Sequence, residues 1–120
     1  MSRNESREMY LLTVYKLEQQ KGAARSVDVA RKLGVSKPSV TKAMGALVQQ
    51  GLVTRERYGP VRLTEEGERQ AKQVFDKHEL IRKFIVSSLD MSPKQAEKDA
   101  CRIEHVISRS MVSAIESYLS

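Results

Sequence analysis

Apolar positions recur along this chain at helical spacing, punctuated by glycines and short hydroxyl side chains. Tyr10, Val14 and Leu17, widened by Leu11, form one stripe. A helix is therefore predicted from Glu5 to Gln20, ending at Gly22. Ser26 reads as the N-cap of a second helix, with Val27, Ala30 and Leu33 turned inward and Gly34 as its stop. Ser36 reads as the N-cap of a third, with Pro38 tolerated in the first turn. Val40, Met44, Leu47 and Val48 form its inward stripe, and Gly51 closes it. The run LVTRERYGPVRLT then changes to β-branched residues around Tyr58-Gly59-Pro60, which predicts a short hairpin. Thr64 with Glu65, Glu66 and Glu68 opens a long helix in the manner of a capping box, its acids set against the positive end of the helix dipole. Val74, His78, Ile81 and Ile85 share one face of it. Ser92-Pro93 starts another helix, and a last apolar stretch carries Met111, Ile115 and Leu119. The expectation is five or six helices and one hairpin.

Two short helices joined by LGVS and followed by a hairpin have the order of a winged helix-turn-helix. The expected fold is therefore mostly α. A winged helix-turn-helix DNA-binding domain is expected over 1–64, and a second, helical domain over 65–120. Charge supports the division. Up to Arg62 there are 12 Lys/Arg against 5 Asp/Glu, and from Leu63 on there are 9 against 10, so the net +6 comes entirely from the first half. A basic half points to nucleic acid or an anionic surface. With 4 Tyr, 2 Phe and no Trp, the chain lacks the aromatic platforms of single-strand and RNA binders. Double-stranded DNA is the expected partner. The second helix of such a pair enters the major groove by its N-terminal end. There Ser36, Lys37, Pro38, Ser39, Thr41 and Lys42 lie, offering hydroxyls and ammonium groups to phosphates and base edges. Arg55, Arg57 and Arg62 fall in the hairpin, where a wing reaches the DNA backbone or minor groove.

The second half raises a different chemistry. In the stretch ACRIEHVIS, Cys101 precedes Glu104 and His105 by three and four residues. With Glu97 they fall within about 100° of arc on a helix. Ala96, Ala100, Ile103 and Ile107 form the adjacent apolar stripe, so the polar cluster borders a core. His78, on the apolar face of the long helix, is expected to be neutral there, the metal-binding form. Each residue also has an ordinary reading: Cys101 as a small buried hydrophobe, His78 as a hydrogen-bonded core histidine, Glu104 and His105 as surface groups. Spacing alone leaves metal and structural roles both open. A lone cysteine makes no internal disulfide, no apolar run approaches the roughly 18 residues of a membrane span, and MSRNESREMY has no signal-like apolar region. A cytoplasmic protein without membrane association is expected.

SREMYLLTVYKLEQQ and KHEL…ACRIEHVIS resemble the diphtheria-toxin-repressor family of metal-dependent transcriptional regulators, over essentially the whole chain. The resemblance implies a DNA-binding homodimer acting on a palindromic operator, as a repressor of metal-uptake genes, with 65–120 as its helical metal-binding and dimerisation domain. It also implies an activating ion held as in iron-type members, by Met9, Cys101, Glu104 and His105. A second, ancillary site is implied around His78. There the chain departs from the iron-type pattern: Arg82 stands where an acid is expected and Glu97 where a histidine is, so His78 and Glu97 would form a reduced site. The barrel domain of long members is not seen in these residues. Manganese-type members are short, as this chain is, but carry Glu at the position of Cys101 and acids at those of Met9 and Leu12. Thiolate and thioether favour softer, later ions than Mn(II). Fe(II) is therefore the expected ion, with Co(II), Ni(II), Zn(II) or Mn(II) able to substitute. Ile103, Ile107, Met111 and Ile115 supply apolar surface for the dimer.

Two rivals remain at this level: a winged-helix regulator indifferent to metal, with Cys101 structural, and a metallohydrolase using Glu104 and His105. The second lacks an HExxH pair, a phosphate loop and a Ser/His/Asp set, so no enzyme activity and no small organic substrate are expected.

Overall fold

The computed structural model of the chain describes residues 3–57 and 59–120. Among these the order is α1 (Arg3–Lys21), α2 (Ser26–Leu33), α3 (Lys37–Gln49), β1 (Val53–Arg55), β2 (Val61–Leu63), α4 (Glu65–Leu89), α5 (Pro93–Ile103) and α6 (Arg109–Leu119). The fold is mostly α, as the periodicity implies. It forms two compact units, 1–72 and 73–120, and the division falls inside α4. No described helix is long and apolar enough to cross a membrane.

In the first unit, Leu11, Val14 and Leu17 of α1 meet Val29 of α2 and Val40, Met44 and Leu47 of α3. Leu52, Val53, Val61 and Ala71 complete that core. Gly34 ends α2 at φ 68°, and Ser36 caps α3 by accepting the Ser39 N–H at 3.3 Å. Two local expectations shift. The N-cap of α2 is Arg25, with no side-chain cap, and Ser26 is the first helical residue. The cause is a long-range contact: the Val61 N–H donates to the Ala24 carbonyl at 2.7 Å, which keeps the chain extended up to Arg25. Ala30 and Leu33 pack against the core as expected, joined by buried Val29, whereas Val27 is 43% exposed. Val48, expected inside, is also exposed, because Val40, Met44 and Leu47 already fill the face that α3 turns to the core.

The hairpin pairs Val53 with Leu63, Thr54 with Arg62 and Arg55 with Val61. Of its expected turn, Tyr58 lies outside the described residues, and the Gly59 N–H donates to the Glu56 carbonyl. Thr64 opens α4 as expected, its hydroxyl accepting the Gly67 N–H at 3.0 Å. The reciprocal half of a capping box has no side chain to form it, since the residue at that position is Gly67.

In the second unit, Val74, His78, Ile81 and Ile85 all lie on the buried face of α4. Ile81 and Ile85 pack with Ala96 and Ala100 of α5, flanked by Phe84, Val86, Met91 and Ile107. Ser92 caps α5 with Pro93 in its first turn. That helix stops at Ile103, with Glu104 as its C-cap, and Ser108 caps α6. Glu104 keeps the helical conformation, its N–H donating to the Ala100 carbonyl at 3.0 Å, and His105 stands in the following turn.

Candidate metal centre and nucleic-acid interface

The long helix α4 presents His78 to α5, and Ala96 and Ala100 lack the bulk to hold the two helices apart. Glu97, Cys101 and Glu104 follow one another at four and three residues, which keeps them on the side facing His78. The His78 ring is fully buried and both nitrogens are engaged. Nδ1 lies 2.5 Å from Glu104 Oε2, and Nε2 lies 2.9 Å from Glu97 Oε2. Cys101 Sγ is 3.9 Å from Nδ1. Glu104 is 1% exposed, and its other oxygen stands 3.3 Å from His105 Nε2.

This environment reverses the protonation expected for His78. Burial alone pushes the imidazole down, but hydrogen bonding to Cys101, Glu104 and Glu97 together outweighs it and raises its pKa from 6.5 to about 10. In the metal-free chain His78 is an imidazolium donating one N–H to each carboxylate. A group raised on folding stabilises fully below its unfolded pKa and loses that contribution as pH climbs to the folded one. The urea midpoint of chelator-treated protein should therefore fall between pH 6.5 and about 10. The fall should shrink in His78→Gln, and equal pH dependence in both proteins would refute this proton assignment.

Ligand atoms of His78, Glu97 and Cys101 all lie within 4.8 Å of one another, the one such group of acids, histidines and cysteine among the described residues. Donors bound to one ion at about 2.0–2.3 Å stand roughly 3–4 Å apart, so modest side-chain rotations bring these three onto a common ion. Imidazole, carboxylate and thiol together suit a first-row divalent metal. Cys101 is exposed, which leaves an entry path, while Glu104 orients the ring from the buried side.

The sequence assigns His78 and Glu97 to an ancillary site and Cys101 to another with Glu104 and His105. In the structure Cys101 stands beside His78 with Glu97 and Glu104, all on the side of α5 that faces the ring, and the Glu104 carboxylate contacts both His78 and His105. The spacing of Glu97, Cys101 and Glu104 could have shown this only if His78 were known to lie opposite. Met9 is half-buried on α1 of the first unit, where its carbonyl accepts the Thr13 hydroxyl at 2.7 Å.

On the first unit, Ser36, Lys37, Pro38, Ser39, Thr41 and Lys42 are all exposed along the start of α3. Arg55 on β1, Arg62 on β2 and Arg57 in the turn between them are exposed as well. Ser36 is committed in part to its cap, and its hydroxyl also lies 2.9 Å from that of Ser39.

Two family models match these two halves. One, described as the iron dependent repressor N-terminal DNA binding domain, matches residues 4–61, and the other, the iron dependent repressor metal binding and dimerisation domain, matches residues 64–120. The chain belongs to the iron-dependent repressor family. Among curated relatives in this family, the transcriptional regulator MntR of Escherichia coli O6:H1 is 34% identical over 109 residues, 91% of this chain and 70% of MntR. The iron-dependent repressor IdeR of Mycobacterium tuberculosis H37Rv is 32% identical over 101 residues, 84% of this chain and 44% of IdeR. A solved manganese-dependent transcriptional repressor in complex with manganese superposes with a TM-score of 0.87 at 25% identity, over 94% of this chain and 52% of its own. The chain thus spans about half the length of the solved repressor it matches. The relatives are transcriptional regulators, and the family includes both iron-dependent and manganese-dependent members. On β2 the Leu63 N–H donates to Glu18 Oε1 at 3.1 Å, a contact across 45 residues that no local sequence signal marks.

Proposed function

We propose that this chain is a metal-activated transcriptional repressor that binds a palindromic DNA operator as a homodimer, with Fe(II) as its physiological ion. The observation that carries the reading is the convergence of His78, Glu97 and Cys101 beside buried Glu104, in a chain whose other unit exposes a lysine- and hydroxyl-bearing helix start. His78, Glu97 and Cys101 would supply the donors within the second unit, with Glu104 orienting the His78 ring from behind and itself contacting His105. An ion held there would supply the positive charge that the His78 proton otherwise sets against Glu97 and Glu104. His78 must release that proton, and Cys101 its own, before either becomes a ligand, so affinity weakens in acid. The thiolate favours Fe(II) over Mn(II), with Co(II), Ni(II) and Zn(II) as substitutes. The start of α3 reads the major groove and the wing arginines hold the DNA backbone. Ile103, Val106, Met111 and Tyr118 are exposed on the second unit and offer apolar surface to a second copy. Metal strengthens DNA binding by its differential affinity for the DNA-competent state.

A manganese-responsive reading draws on the two carboxylates, Glu97 and Glu104, that flank His78. One experiment addresses both. An operator is selected from random duplex DNA, and its binding is measured anaerobically with Fe(II), with Mn(II), with chelator, in Cys101→Ala and in Met9→Ala. Fe(II) should tighten binding at least tenfold over chelator, and Cys101→Ala should abolish that gain. Met9→Ala should reduce it if the thioether expected from the family resemblance is a donor. Identical binding with Fe(II), with chelator and in Cys101→Ala defeats metal activation. Stronger activation by Mn(II) than by Fe(II) defeats the choice of ion.

A further inference from the structure

The outer edge of the wing raises a hydrogen-bonding question that β1 does not answer. In β2, the Val61 and Leu63 N–H groups both point away from β1. The first donates to the Ala24 carbonyl at 2.7 Å, in an isolated antiparallel bridge between Ala24 and Val61. Continuing that register would set Gly22 opposite Leu63, since antiparallel rungs advance by two residues on each strand. Gly22 cannot supply that rung. It closes α1 in a left-handed turn at φ 78°, so the extended pairing stops at the isolated Ala24–Val61 bridge. The missing acceptor is a side chain: Glu18 Oε1 accepts the Leu63 N–H at 3.1 Å, in a partly buried position.

We infer that Glu18 is the positioning residue of the wing, its carboxylate replacing the backbone rung that the α1 terminus withholds. Glu18 and Ala24 together hold both outward N–H groups of β2. Arg62 lies between those two anchored residues and Arg55 lies opposite Val61, so the anchor sets where the wing's guanidinium groups stand. The inference rests on the DNA-binding reading for its consequence but not for its geometry.

The test uses the full chain with Glu18→Ala and Glu18→Gln, the latter keeping an oxygen acceptor. Without DNA, exchange of the Leu63 amide should accelerate by roughly an order of magnitude in Glu18→Ala and stay near wild type in Glu18→Gln. With random-sequence duplex DNA and Co(II), the slope of log affinity against log salt should fall by about one for each wing arginine displaced in Glu18→Ala, and Glu18→Gln should restore it. Unchanged Leu63 exchange in Glu18→Ala overturns the inference, and so does an unchanged salt slope in a variant whose Leu63 amide has been freed. A wild-type chain that binds no duplex defeats the DNA reading separately, while the amide exchange still decides whether Glu18 anchors the strand.

Discussion

Removing His78 should destabilise the metal-free chain by about 3–5 kcal/mol, more than removing Glu104 does. Taking away one member of a buried charged pair leaves the other without compensation. In His78→Ala the orphan is the Glu104 carboxylate, 1% exposed and left with His105 at 3.3 Å. In Glu104→Ala the imidazolium keeps Glu97 at 2.9 Å on its other nitrogen, and Glu97 itself reaches solvent. The double variant has no orphan of either kind. Its destabilisation should therefore fall short of the sum of the single ones, with a coupling of about 2 kcal/mol or more. Urea unfolding of the wild type, both single variants and the double variant in chelator measures each quantity. Strict additivity would show that the buried contact contributes nothing beyond packing. Metal affinity read on the same proteins separates the two carboxylates, since Glu97 converges with the donor group and Glu104 orients the ring from behind.

What was legible in the sequence follows from the range of the forces involved. The α4 stripe of Val74, His78, Ile81 and Ile85 is set by helical periodicity against a continuous core, and all four are buried. The caps at Ser36 and Ser92 are contacts across three residues, and both form. The start of α2 could not be read locally, because it is fixed by Val61 pairing with Ala24, 37 residues earlier. The end of α5 could not be read either, since no glycine or proline marks Ile103. The candidate site divides in the same way. That His78 lies on an apolar face was visible from spacing. That two carboxylates flank its ring, and raise its pKa, depends on how α5 lies against α4. The residues proposed to face DNA could be grouped from sequence because they are close together on one short helix and its hairpin, whereas the Glu18 contact joins positions far apart in sequence.

Gly67→Ala should produce the other large loss, on the order of 3 kcal/mol or more, with a fall in melting midpoint of roughly 10 °C or more. A Cβ at Gly67 would stand 1.8 Å from the Leu52 carbonyl oxygen and 2.8 Å from its carbon. Both are backbone atoms, so no side-chain rotation relieves the clash. The same carbonyl accepts the Thr64 N–H at 3.0 Å, and the Thr64 hydroxyl donates to the Gly51 carbonyl at 2.7 Å. Lifting α4 off Leu52 to make room would break both bonds, each contributing about 1 kcal/mol net. Gly45→Ala is the matched control. It lies within α3, its added Cβ would meet nothing within 4 Å, and its φ is not positive. That substitution should be neutral, or stabilising by about 0.4–1 kcal/mol, through the reduced freedom of the unfolded chain. Thermal unfolding of the two variants side by side tests the argument. Comparable midpoints for Gly67→Ala and Gly45→Ala would show that the first turn of α4 moves freely off Leu52, and that the close approach at Gly67 does not hold the start of α4 on the first unit.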